Sequence, residues 1–140
     1  MQQLLHTPEG VRDYYNGECA AKLVTGSKLA HVFGLYGFQS IQTPTFEYFD
    51  IFNAERGSVA SKEMYKFFDR DGETMVLRPD LTPSIARCAA KYFGQEKLPI
   101  RLCYQGNIYI NNLSYQGRLK ESTQAGAELI GDDSLAADAE

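Results

Sequence analysis

Gln124 and Glu128, with Gly126 between them, are the residues whose types and spacing best suit binding chemistry. In an extended chain alternate residues point the same way, so these three share one face. Thr123, Ala125, Ala127 and Leu129 share the other. Gln both donates and accepts hydrogen bonds, and an ionised Glu accepts from an ammonium or an imidazole N–H. A glycine between them leaves room for a small polar ligand. An upstream arm alternates in the same way, with Leu102, Tyr104, Gly106, Ile108 and Ile110 on one side. Between the arms lies Asn111-Asn-Leu-Ser-Tyr-Gln-Gly117, rich in turn formers. Together they predict a long hairpin. The plainer alternative is a hairpin with one wet face, where Gln and Glu simply meet water, and periodicity alone favours it.

The rest of the chain must position this hairpin. Thr7 to Asp13 is a Pro- and Gly-punctuated lead-in, read as a docked loop. From about Glu18 to Leu35 the pattern is helical, with Cys19, Leu23, Ala30 and Phe33 on the inner side. Gly26 and Gly34 weaken that helix by up to about 1 kcal/mol each, but allow close packing, including against a second subunit. Gly37 to Pro44 reads as a turn and a short strand, which the missing N–H of Pro44 confines to a sheet edge or ends. Phe46 to Phe52 is aromatic-rich and expected to be helical, and Asn53 to Ser61 a loop. Lys62–Asp69 and Glu73–Arg78 are two strands joined by a turn at Arg70-Asp-Gly72. Thr82 is the expected N-cap of a helix from Pro83 to about Phe93, with Ile85, Cys88, Ala89 and Tyr92 inward and Gly94 ending it. Asp132 to Glu140 starts a further helix inside which the sequence stops, as expected of a piece of a longer protein. Antiparallel strands with interspersed helices predict an α+β fold, one domain over residues 1–140.

Composition narrows the function classes. The chain has 140 residues, 44% hydrophobic and 23% charged, with a net charge of -4, in the range of a soluble globular domain. No basic patch argues for nucleic acid as a partner. Cys19, Cys88 and Cys103 are odd in number and lack CxxC spacing, which fits reduced thiols in a cytoplasmic protein. His6 and His31 do not suggest a metal site. The first residues lack the charged region and apolar core of a signal peptide, and no apolar run is long enough to span a membrane.

The order and spacing of these segments resemble the catalytic core of class II aminoacyl-tRNA synthetases of the histidyl type. Leu35 to Pro44 resembles the first class II motif, which forms the dimer interface in that family. Lys62–Gly72 and Leu77-Arg-Pro-Asp80 resemble the segment that approaches the amino acid, and Tyr104–Gly131 resembles the second motif. Gln124-Ala-Gly-Ala-Glu128 stands in the place of the histidine-recognising strand. The resemblance implies a class II synthetase-like antiparallel sheet flanked by helices. It also implies a histidine pocket built from Asp80, Thr82, Arg118, Gln124 and Glu128. Asp80 has a second reading, as an acceptor of backbone N–H groups at the start of the Pro83 helix.

The departures from the synthetase pattern carry as much weight. The arginine that grips the ATP α-phosphate in those enzymes is replaced, in ungapped alignment, by Ile110, and the acidic residue two further on by Asn112. An aliphatic side chain supplies no donor for charge developing at phosphorus, a loss of roughly a hundred- to a thousand-fold in rate. Thr7–Asp13 and Leu77–Pro83 look more like the non-catalytic paralogues, the regulatory subunits of ATP phosphoribosyltransferase. That resemblance implies no catalytic residue, no cofactor and no metal. The implied partners are a short-form catalytic subunit, a second copy through Gly37–Pro44, and histidine as effector. The alternatives are a fragment of a histidyl-tRNA synthetase or, more weakly, a synthetase-like protein for another amino acid.

Overall fold

The computed structural model describes residues 5–53, 59–112 and 117–140. In chain order the elements are α1 (Asn16–Leu35), β1 (Gln39–Ser40), β2 (Phe46–Tyr48), α2 (Asp50–Asn53), a 3-10 turn (Ser61–Glu63), β3 (Lys66–Phe68), β4 (Thr74–Leu77), α3 (Thr82–Tyr92), β5 (Ile100–Tyr109), β6 (Glu121–Ile130) and α4 (Leu135–Ala139).

The expected hairpin is β5 and β6, ten residues each. Leu102 faces Glu128, Tyr104 faces Gly126 and Gly106 faces Gln124, so the two alternating patterns share one face. Residues 113–116 of the connecting segment lie outside the described residues, as do 54–58 of the expected loop before β3. β1 pairs in parallel with β5 at the edge of this first sheet and ends at Ser40, well before Pro44, with the Ile41 N–H donating a last bond to the Cys103 carbonyl at 2.9 Å.

The second sheet has the order β2-β4-β3. β3 and β4 form the expected hairpin with shorter arms. Asp69 Oδ1 accepts the N–H groups of Asp71 and Glu73 at 2.9 Å each, and Gly72 takes a φ of +86°. The helix expected over Phe46–Phe52 is corrected: Phe46, Glu47 and Tyr48 pair with Leu77, Val76 and Met75, and only Asp50–Asn53 is helical. β4 has a second edge to satisfy, and aromatic residues suit a pleated surface as well as a helix.

Helices cover both faces of the first sheet. On the site face, α3 packs Leu81, Ile85 and Ala89 onto Leu102 and Tyr104. Tyr92 is exposed, contrary to expectation, and Phe93 packs against this core instead. On the opposite face lies α1, whose one buried residue is Gly26. A Cβ there would sit 2.4 Å from the Gln105 amide, so this glycine serves packing within the chain. That contact centres the inner stripe on Cys19, Gly26 and Phe33 and rotates Leu23 outward, leaving it 69% exposed; Ala30 is exposed too. A second core gathers Phe52, Met64 and Val76 beneath the second sheet.

Two polar links tie the second sheet to the rest of the chain, one to the first sheet and one to α3. Arg78, 7% exposed, donates from Nε to the Asn107 carbonyl at 2.8 Å and from Nη1 to the Thr43 and Pro44 carbonyls at 2.7 and 3.1 Å. Its backbone donates to Thr45 and accepts from Tyr109, both at 3.0 Å. Gly106 makes room for it, since a Cβ there would lie 2.6 Å from Nη2. Glu47 in β2, 6% exposed, receives Arg87 of α3 through Nε and Nη2 at 3.1 and 2.7 Å. Replacing Arg78 by Met leaves three partly buried carbonyls without their donor, so the unfolding free energy should fall by about 3 kcal/mol. The urea midpoint checks this, and an unchanged midpoint contradicts it.

Candidate functional site

The site forms where the first turn of α3 crosses the face shared by β5 and β6. Asp80 Oδ1 accepts the N–H groups of Leu81 and Thr82 at 2.7 and 3.3 Å. The capping expectation is therefore corrected: Leu81 occupies the N-cap position, Thr82 begins the helix, and the Asp80 carboxylate satisfies the free donors. Thr82 is thereby released from capping. Its hydroxyl points to the sheet and donates to Glu128 Oε1 at 2.9 Å. Gln124 Oε1 accepts a weaker, shared bond from Leu81 N–H at 3.3 Å.

Asp80, Thr82, Gln124 and Glu128 are thus brought together by the crossing of a helix start and a hairpin. Arg118 is not. It is exposed in the segment leading into β6, and no hydrogen bond or ion pair ties it to the cluster. Ile110 is half-buried, its N–H donating to the Lys120 carbonyl at 2.9 Å. Asn112 makes a long 3.5 Å contact to the Leu119 carbonyl, and its Oδ1 is buried without a hydrogen-bond partner among the described residues. Among the described residues no group of three or more His, Cys, Asp or Glu is placed to hold a metal ion.

Sequence reasoning missed Tyr104. The open floor expected over Gly126 is occupied by its ring, since a Cβ on Gly126 would stand 2.6 Å from Tyr104 Oη. The signal was available: an aromatic residue facing a glycine across a strand pair lies over it. Tyr104 Oη sits 3.3 Å from both Glu128 Oε1 and Thr82 Oγ1. Burial pushes the phenol above its ordinary pKa, and the neighbouring Glu128 charge adds to this, while the Thr82 bond works against it. Glu128 therefore has two neutral hydroxyls as its hydrogen-bond partners among the described residues. An acceptor-rich site suits a ligand carrying an ammonium or N–H donors.

A phenol whose folded pKa lies above its unfolded value stabilises the fold fully below about pH 10 and loses that contribution as the pH rises through the folded value. The urea midpoint should therefore fall above that pH, and Tyr104→Phe should remove part of the fall, leaving the part due to Tyr109, whose phenol burial also raises. Identical alkaline slopes in both proteins contradict the assignment.

Residues 10–140 match the family model described as Histidyl-tRNA synthetase. The chain is 42% identical over 135 residues to an ATP phosphoribosyltransferase regulatory subunit of Clostridium novyi, covering 96% of this chain and 32% of that protein. It is 41% identical over 136 residues to a protein of the same name from Acetivibrio thermocellus, covering 97% of this chain and 32% of that one. Among solved structures, an ATP phosphoribosyltransferase regulatory subunit/histidyl-tRNA synthetase from Bacillus halodurans superposes with a TM-score of 0.85 at 34% identity, over 96% of this chain and 35% of that one. Apo histidyl-tRNA synthetase of S. aureus superposes with a TM-score of 0.78 at 27% identity, over 96% and 31%. The chain spans about a third of the length of these relatives. The fold is the class II, histidyl-tRNA synthetase-like α+β fold, and the chain belongs to the histidyl-tRNA synthetase family, within which it is similar to ATP phosphoribosyltransferase regulatory subunits.

Proposed function

We propose that this chain is the amino-acid-binding part of a non-catalytic regulatory subunit of ATP phosphoribosyltransferase. In this reading the whole protein assembles with a short-form catalytic subunit, activates it, and carries feedback inhibition by histidine in the first step of histidine biosynthesis. The observation that carries the reading is the Asp80–Thr82–Gln124–Glu128 cluster on a histidyl-type fold, with Ile110 and Asn112 where activation chemistry needs charged groups. Asp80 keeps its capping role, and the charge it adds beside Glu128 favours the α-ammonium group. Arg118 enters only as a loop residue able to approach a bound carboxylate.

Self-association fits the same reading. α1 exposes Leu23, Val24, Leu29, Val32 and Leu35, and Tyr36 follows them into the Gly37–Pro44 edge segment. An edge strand beside an apolar helix face is the kind of surface that two copies bury around a two-fold axis. Among the described residues no helix is long and apolar enough to cross a membrane, in keeping with a cytoplasmic role. The family model itself favours the second reading, a piece of a histidyl-tRNA synthetase.

Mixing the full-length protein with a short-form catalytic subunit should raise the rate of phosphoribosyl transfer to ATP, and histidine should reverse the gain. For that reversal histidine must bind the two states of the complex with different affinity. Removing a hydrogen-bonded carboxylate costs about 1.5–3 kcal/mol, so Glu128→Ala should raise the histidine concentration for half-inhibition about tenfold or more. No complex in sedimentation, together with an unchanged rate, contradicts the proposal.

A further inference from the structure

We draw no further inference here: the strongest candidate, the pair of apolar grooves beside the edge strand β6, one lined by Val32, Tyr36 and Leu129 and the other by Ala89, Phe93 and Ile130, carries nothing because nothing in the structure shows what covers them.

Discussion

The guanidinium of Arg78 lies between the two sheets and spends its protons on main-chain oxygens: Asn107 in β5, and Thr43 and Pro44 in the crossing segment. No carboxylate forms an ion pair with it among the described residues, and burial lowers its pKa. Carbonyl dipoles therefore hold the charge, which works only while all of them stay in place. Much of the chain is fixed by that requirement. β5 must carry Gly106 where the guanidinium passes, β1 must end before Pro44 so that the carbonyls turn inward, and Asp80 follows two residues later at the start of α3. The residues of the candidate site are positioned because the junction is.

From that anchor the site assembles by alternation. The β5–β6 register sets Glu128, Gly126 and Gln124 on the face under α3, and Asp80 capping turns the Thr82 hydroxyl from its own backbone toward the sheet. The Arg87–Glu47 pair ties the middle of the same helix to β2, so α3 is held at its start by the first sheet and at its centre by the second. A ligand bound at Glu128, as proposed, would pull on a helix connected to both.

What the sequence shows and hides follows from range. The hairpin was legible because side-chain alternation is local, and the paired patterns of residues 102–110 and 124–129 fix each other's register. The Asp-Gly turn at 71–72 was legible for the same reason. β2 was not, because Phe46–Tyr48 becomes a strand only on meeting the free edge of β4, a partner some thirty residues away. The orientation of α1 was misjudged because its hydrophobic residues lie on more than one side, and the contact at Gly26 rather than the count of apolar residues decides which side is inward. At the site the chemistry-bearing side chains could be named, but the filling of Gly126 by Tyr104 depends on cross-strand packing. The placement of Arg118 outside the cluster depends on a segment with no periodicity to read.

The central claim is that this fold keeps an amino-acid pocket while lacking the means to activate what it binds. The most direct measurement is histidine-dependent exchange of pyrophosphate into ATP by the full-length protein. The account predicts no exchange above the histidine-free background, because Ile110 offers no donor to the α-phosphate and Asn112 no charge beside it. Sustained exchange that requires histidine would contradict it.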